Sequence, residues 1–327
     1  MPNATAPHHS PTFSDILDAA ERIKGVVHRT PVMRSRLIDE AVSQAIASRV
    51  EVAFKCENFQ RVGAFKFRGG YHAVSSLSAK EAKSGVCTHS SGNHAQAIAL
   101  AARERGIPAY IVMPNNAPKV KRKAVEGYGA QIIDCVPTLE AREQTSKRVI
   151  AETGARFIHP YNHPKVIAGQ GTAALELIED TGPLDLIIAP IGGGGLMSGT
   201  SITMRAMCPQ GHVWGAEPAG ADDAARSLVA GRLIKQTDPN TVCDGLLTSL
   251  GDLTWPIIQS HVSRIVTVDD DQVIAAMRLI WTRLKIIIEP SCATPLAALL
   301  KGALPQDVSK IGVILSGGNV DLDRLPW

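Results

Sequence analysis

A buried strand, a turn of four glycines and the start of a helix are predicted by the stretch Ile187-Ile188-Ala189-Pro190-Ile191-Gly192-Gly193-Gly194-Gly195-Leu196-Met197-Ser198-Gly199. Consecutive residues without side chains allow backbone N–H groups to converge on one anion. The dipole of the helix that follows adds about half a positive charge at the same place. Gly192 to Gly195 are therefore a predicted phosphate site at the carboxyl end of a strand.

The residues around the glycines leave open which phosphate is bound. One possibility is a dinucleotide, because Gly193 and Gly195 are spaced as in the nicotinamide-binding fingerprint. Glu217 also ends the next predicted strand, where a ribose-binding acid lies in such enzymes. Against this, Ser198 stands at the position of the third glycine. A cofactor with a single monophosphate suits so compact a turn at least as well.

Strand-like and helix-like stretches alternate along almost the whole chain, which predicts an α/β fold whose parallel sheets are covered by helices on both faces. Residues 50, 52 and 54 alternate with polar partners, as in a strand. No linker rich in Gly, Ser and Pro separates the two halves, so we expect two interlocked lobes around one cleft. The predicted strands are 50–54, 86–88, 110–113, 131–133, 184–189, 213–216, 265–268 and 311–315, and the predicted helices include 13–25, 95–105 and 270–285.

Composition narrows the class of protein. The chain has 327 residues, 34 Lys and Arg against 31 Asp and Glu, and a net charge of +3, which gives no reason to expect nucleic acid or an anionic membrane as partner. Its six cysteines form no C-x-x-C pair, as expected of buried thiols in the cytoplasm. Residues 1–10 lack the features of a signal peptide, and no apolar run reaches the ~18 residues of a membrane span. The basic run 119–123 predicts a solvated helix start.

Lys66 is the first candidate for chemistry. It lies between Phe65 and Phe67, just after a predicted strand and Gly63. An ammonium group with apolar neighbours has a lowered pKa, and its neutral amine can form a Schiff base. The alternative is a surface lysine whose stem covers the phenylalanines while its amine reaches water.

Three further segments carry polar residues at predicted strand ends. Residues 88–94 read Thr-His-Ser-Ser-Gly-Asn-His and offer hydroxyls and an amide at a helix start, or no more than an N-cap. Residues 315–321 close the last strand with Ser316. Glu217 and Asp223, with an exposed carbonyl between them, form the all-oxygen ligand set that Mg²⁺ or Ca²⁺ prefers, or an acidic loop that caps the next helix.

Together and in this order, these motifs resemble those of the fold-type II pyridoxal 5′-phosphate (PLP) enzymes, and in particular of the serine racemase and serine/threonine dehydratase family, which includes the 3-hydroxyaspartate dehydratases. The likeness covers nearly the whole chain. It implies two open, twisted, mostly parallel sheets flanked by helices, as in tryptophan synthase β, with PLP in the cleft between domains. The implied division is a large PLP-binding domain at 1–75 and 163–327 and a small domain at 76–162.

The same resemblance implies roles for individual residues. Lys66 would carry the cofactor and act as the base on one face of the substrate Cα, and Ser91 would pass a proton on the other face. The residues implied to bind the cofactor are Phe65 (near the ring), Lys66, Asn93 (the 3-hydroxyl), Gly192, Gly193, Gly194, Gly195 and Leu196 (the phosphate) and Ser316 (the pyridine nitrogen). Those implied to bind the substrate are Ser90, Ser91, Gly92, Asn93, His94 and Arg142. Those implied to bind a divalent metal, Mg²⁺ or else Ca²⁺ or Mn²⁺, are Glu217, Ala221 and Asp223.

The predicted activity is that of a PLP-dependent ammonia-lyase that converts a β-hydroxy amino acid such as serine or threonine to a 2-oxo acid and ammonia, with serine racemase activity as a further possibility. One alternative is a 3-hydroxyaspartate dehydratase that yields oxaloacetate, in which Arg142 binds the extra carboxylate. The alternative from another class is an NAD-dependent oxidoreductase. The resemblance also suggests a homodimer. Gln96, Tyr128 and Lys285 match nucleotide contacts of the mammalian racemase, which is weak support for an ATP site.

Overall fold

A computed structural model describes residues 10–117, 119–302, 304–305 and 307–327, with the backbone alone at Val120. The expectation for residues 1–10 therefore falls almost wholly outside the described part of the chain. Within that part, no helix combines the length and hydropathy that a membrane crossing requires.

Two sheets organise the chain, and all their strand pairs are parallel except that of β1 with β2. The six-stranded sheet has the order β1-β2-β10-β7-β8-β9, and the four-stranded sheet has the order β5-β4-β3-β6. The strands are β1 Val32–Met33, β2 Glu51–Cys56, β3 Val86–His89, β4 Ala109–Pro114, β5 Gln131–Cys135, β6 Arg156–Phe157, β7 Leu186–Pro190, β8 His212–Pro218, β9 Arg264–Val268 and β10 Lys310–Leu315.

Helices connect the strands and cover both faces of the sheets. They are α1 Phe13–Ile23, α2 Arg36–Ile46, α3 Lys66–Ser75, α4 Ala79–Lys83, α5 Asn93–Arg105, α6 Lys119–Gly127, α7 Leu139–Thr153, α8 Pro164–Thr181, α9 Gly195–Met207, α10 Asp223–Ala230, α11 Thr254–His261, α12 Asp270–Leu284 and α13 Pro290–Leu300. The predicted α/β fold with two mostly parallel sheets is confirmed. The division into a large and a small domain stays a prediction, although the four-stranded sheet is drawn from residues 86–157 alone.

The predicted strand at residues 50–54 is confirmed as β2, Glu51–Cys56. Every residue of β2 after Glu51 is buried, including Lys55. Helix α8 covers the face of β2 that carries Lys55, and the Lys55 ammonium pairs there with the Glu176 carboxylate at 2.6 Å. The basic run does begin a helix, α6, but its Lys121 and Arg122 are only partly exposed and pair with Asp244 and Asp134.

Helix α8 passes between α3 and α9 at unusually short range. A Cβ atom on Gly169 would lie 2.6 Å from the Cα of Gly69 in α3, and one on Gly199 in α9 would lie 2.5 Å from the backbone nitrogen of Gly171. Backbones can approach so closely only where neither residue has a side chain. Since α3 begins with Lys66 and α9 begins at the glycine turn, α8 sets the distance between these two predicted parts of the site.

Candidate active site

The glycine turn follows β7 and leads directly into α9. Gly194 has φ +86°, a left-handed conformation that favours glycine, and is the residue before the first turn of the helix. A Cβ on Gly193 would lie 2.2 Å from the Tyr161 ring, and one on Gly195 would lie 2.9 Å from the Cα of Tyr161. The first N–H groups of a helix have no helical acceptor. The turn is therefore a backbone cup, as predicted, and Tyr161 packs against it.

Lys66 lies at the start of α3 and points to the segment that carries Tyr161. Its Nζ donates a hydrogen bond to the carbonyl of Pro160 at 3.0 Å and lies 5.0 Å from the centre of the Phe65 ring. Burial lowers the pKa of Lys66 to about 8, although the Glu289 carboxylate acts in the opposite direction. The amine is thus held inside the protein, which counts against the surface-lysine alternative.

The end of β10 is joined to the residues just before Lys66. The Phe65 N–H donates to the carbonyl of Ser316 at 3.0 Å, and Ala64 and Gly317 form an isolated antiparallel bridge. Ser316 is buried, and its side chain lies against the Cys292 thiol. The backbone therefore fixes Ser316, Phe65 and Lys66 next to one another, as the resemblance implies.

Asn93 belongs to a short chain of hydrogen bonds across the cleft. Its amide nitrogen donates to the Glu289 carboxylate at 3.0 and 3.2 Å, and its amide oxygen accepts from Asn319 at 2.8 Å. Asn319 also donates to the carbonyl of Val62 at 2.7 Å. Burial raises the pKa of Glu289 to about 7, so this group changes charge near neutral pH. Asn93 is held at both ends by protein groups.

The segment from Ser90 to His94 forms the turn into α5. The hydroxyl of Ser90 accepts a hydrogen bond from the N–H of Gly92 at 3.2 Å, and Ser91 beside it is partly buried. His94 is buried, with Nε2 at 3.1 Å from the carbonyl of Ile158 and Nδ1 without a partner. Burial holds the pKa of His94 well below its usual range, so its ring is neutral. The hydroxyls and free N–H groups here can bind an anion.

Arg142 lies in α7, which packs against the four-stranded sheet. Its buried Nε has no hydrogen-bond partner among the described residues, and its charge acts on the His89 ring. Burial, and after it Arg142, lower the pKa of His89. His89, Phe157, His159 and Tyr161 form a row of rings with neighbouring centres 4.5 to 6.0 Å apart, which runs back to the glycine turn.

The predicted metal ligands surround the start of α10. The two oxygens of Glu217 accept the N–H groups of Ala224 and Ala225 at 3.1 and 2.9 Å. Asp223 accepts from the N–H of Leu250 at 3.3 Å, while its buried Oδ1 has no hydrogen-bond partner within the described part of the chain. Burial raises the pKa of both carboxyl groups, that of Asp223 to about 6. The burial of Glu217 also hides it from any ribose.

Comparison with known proteins agrees with this geometry. The family model described as "Pyridoxal-phosphate dependent enzyme" matches residues 23–317. The chain belongs to this family. It is 50% identical over 317 residues to the β-hydroxyaspartate dehydratase of Paracoccus denitrificans, covering 97% of this chain and 99% of that protein. It is 48% identical over 318 residues to the serine racemase of Dictyostelium discoideum, covering 96% of each. The structure of maize serine racemase superposes with a TM-score of 0.93 at 47% identity, covering 96% of this chain and 95% of that one.

Membership of a PLP-dependent family, together with the burial of Glu217, counts against the dinucleotide alternative. An ATP site at Gln96, Tyr128 and Lys285 stays a prediction. Tyr128 lines a cavity of about 440 Å³ with Arg103 and Glu126, but neither Gln96 nor Lys285 lines it.

Several residues that shape the site were not predicted from the sequence. Tyr161 and Glu289 both reach the site from loops that are distant in sequence from Lys66. A second group is a buried ion network of Lys55, Glu57, Arg68 and Glu176. Ionisable residues inside apolar stretches were the available signal, since such groups are buried only when they are paired.

Proposed function

We propose that the protein is a PLP-dependent ammonia-lyase that converts a β-hydroxy amino acid to a 2-oxo acid and ammonia. One observation carries the proposal. The Lys66 amine donates a hydrogen bond to the carbonyl of Pro160, and the next residue, Tyr161, packs on the glycine turn. A single loop therefore connects the reactive amine to the predicted phosphate site. The likeness to a hydroxyaspartate dehydratase and to serine racemases supports the same chemistry.

The residues present fit the cofactor. The backbone N–H groups from Gly192 to Leu196 would hold its phosphate. Cβ atoms on these glycines would lie too close to Tyr161 and other neighbouring residues, which explains the absence of side chains there. Lys66 would hold the cofactor covalently, with Phe65 near the ring, Asn93 at the 3-hydroxyl and Ser316 at the pyridine nitrogen. When bound, PLP supplies an electron sink that makes the substrate Cα–H acidic.

Lys66 then serves as the base that takes this proton. With a pKa of about 8, half of its amines are neutral at pH 8. A lysine with an ordinary pKa would be neutral in only about 0.3% of molecules at that pH. Ser91 would carry the proton on the opposite face, which a racemase needs, and the turn from Ser90 to His94 would receive the substrate α-carboxylate.

Two measurements test the assignment. PLP-loaded protein should absorb visible light, lose the absorbance on borohydride reduction and carry the reduced cofactor on the peptide that contains residue 66. The variant Lys66→Ala should show none of this, whereas Lys24→Ala, which changes an exposed lysine, should behave as the wild type. Loading at another residue would refute the proposal. A panel of D- and L-β-hydroxy amino acids scored for 2-oxo acid and ammonia then identifies the substrate.

A 3-hydroxyaspartate substrate is the second candidate, and the buried, unpartnered Nε of Arg142 favours it. A charged hydrogen bond to a second carboxylate contributes about 1.5 to 3 kcal/mol, or about 10- to 150-fold in kcat/KM. Arg142→Ala should therefore lose much more activity on 3-hydroxyaspartate than on serine. Equal losses on the two substrates would exclude a special role for the extra carboxylate.

We further propose a divalent metal, Mg²⁺ or else Ca²⁺ or Mn²⁺, held by Glu217, the carbonyl of Ala221 and Asp223. The unpartnered buried oxygen of Asp223 fits such an ion, since a buried carboxylate needs a partner. A homodimer that works in the cytoplasm is also part of the proposal, and the six free, buried thiols are in keeping with a reducing compartment. ATP activation stays a prediction, to be tested by nucleotide titration of the activity.

A further inference from the structure

The buried ion network joins α3 to the structures that carry the rest of the site. The Arg68 guanidinium, which is fully buried, binds both oxygens of Glu57 at 2.7 and 2.9 Å and both oxygens of Glu176 at 2.7 Å. The Lys55 ammonium binds Glu176 at 2.6 Å and the carbonyl of Thr30 at 2.7 Å. Two cations and two anions are thus held out of water with a net charge of zero.

Each partner of Arg68 belongs to an element that positions another part of the site. Glu57 follows β2, whose last residue, Cys56, lies opposite Leu315 in the sheet, so Glu57 is adjacent to the strand end that carries Ser316. Glu176 lies in α8, whose preceding loop supplies the Pro160 acceptor of the Lys66 amine.

Arg68 occupies the third position of α3, two residues after Lys66. Two residues correspond to about 200° around a helix, so Arg68 fixes the side of α3 that is turned away from the Lys66 side chain. The Glu57 and Glu176 carboxylates bind the planar Arg68 guanidinium from two different elements. These bonds oppose both rotation of α3 about its axis and sliding of α3 along it. The close backbone contact of Gly69 with Gly169 prevents α3 from moving closer to α8.

We infer that Arg68 is a positioning residue for the Lys66 amine, which the network holds at a fixed place between the glycine turn and Ser316. Its role is to set the position and the water exposure of Lys66. This inference rests on the proposed function only in taking Lys66 as the lysine that carries PLP.

The test compares Arg68→Lys, which keeps the charge and loses the planar fork, with the control Arg29→Lys. Arg29 pairs with Glu179 and Asp180 at the exposed end of the same helix α8. Two properties are measured on folded protein: the pH midpoint of Lys66 acylation in the PLP-free chain, resolved by peptide mass spectrometry, and the kcat and KM of the loaded enzyme.

In Arg68→Lys, the acylation midpoint should rise from about 8 by about one pH unit, because a loosened amine regains water. The value of kcat should fall about 10- to 100-fold, the usual cost of a misplacement near 1 Å, with KM changed less than about threefold. Arg29→Lys should keep both properties. A folded Arg68→Lys with the wild-type midpoint and kcat would overturn the inference.

If Arg68→Lys does not fold, a milder variant tests the positioning role of Arg68. Thr172→Val removes the 3.2 Å hydrogen bond that the guanidinium donates to its hydroxyl, together with the 2.6 Å bond that this hydroxyl donates to the Gly169 carbonyl within α8. It should lower kcat about two- to fivefold and raise the acylation midpoint, and unchanged values would again overturn the inference. Failure of wild-type Lys66 to take up PLP would instead refute the proposed function. If the wild type takes up PLP at Lys66 but the Arg68 and Thr172 variants keep the wild-type acylation midpoint and kcat, the inference fails and the proposed function stands.

Discussion

Replacement of Gly193 by alanine is the sharpest test of the glycine turn. The added Cβ would lie 2.2 Å from Cδ1 of Tyr161 and 2.3 Å from Cγ and Cε1. Carbon atoms in contact are at least about 3.5 Å apart, so the ring or the turn must shift by about 1.3 Å. The ring has little freedom, because it stacks edge-on against His159 at 4.5 Å and its hydroxyl bonds Thr248.

The magnitude follows from this overlap. Overpacking of this kind costs about 1 to 3 kcal/mol, which in a chain of 327 residues lowers Tm by about 1.5 to 4 °C. If the shift removes one charged hydrogen bond to the phosphate, PLP binds about 10- to 150-fold more weakly. The assays are calorimetry and absorbance titration with PLP.

A double-mutant cycle separates the clash from other effects. The matched control is Gly127→Ala, since a Cβ there meets nothing within 4 Å. Adding Tyr161→Ala to Gly193→Ala should recover part of the lost PLP affinity, because the two changes share one contact. Wild-type PLP affinity in Gly193→Ala, or strictly additive effects in the cycle, would refute the reasoning.

Three further outcomes are expected. Glu176→Gln should lower the free energy of unfolding by about 3 to 5 kcal/mol, because it leaves buried cations unpaired, whereas Arg29→Ala at the exposed end of α8 should cost less than about 1 kcal/mol; chemical denaturation measures both. Burial raises the pKa of Glu289 from 4.5 to about 7, so its contribution to stability is present below about pH 4.5 and is lost as the pH rises through 7. The PLP-free wild type should therefore lose about 3 kcal/mol more than Glu289→Gln between pH 4.5 and 8, and parallel pH profiles would contradict this. Removal of divalent ions by a chelator should lower Tm in the wild type and leave Asp223→Asn unchanged; if the wild type does not respond, the metal assignment fails.

The local sequence determined the parts of this protein whose signals lie within a few residues. The alternation of apolar strands and helices predicted the α/β fold, because each element must bury an apolar face whatever its neighbours are. The stretch from Ile187 to Gly199 predicted strand, turn and helix, since four glycines in a row can form a backbone cup and pack no side chain. The residues around Lys66 left a surface lysine and a lysine for covalent chemistry both open. The resemblance to the PLP enzymes favoured the covalent role, and the comparisons confirmed the PLP family.

Tertiary structure alone decided how these parts meet. Lys66 has its lowered pKa because the Pro160 loop and Phe65 exclude water from it, and no pattern of neighbours in sequence measures that exclusion. Lys55 follows directly on the predicted strand at residues 50–54, and only the folded structure shows that it is buried and pairs with Glu176, which lies 121 residues further along the chain. Pairing of charges across such separations depends on packing, and packing is a property of the folded chain.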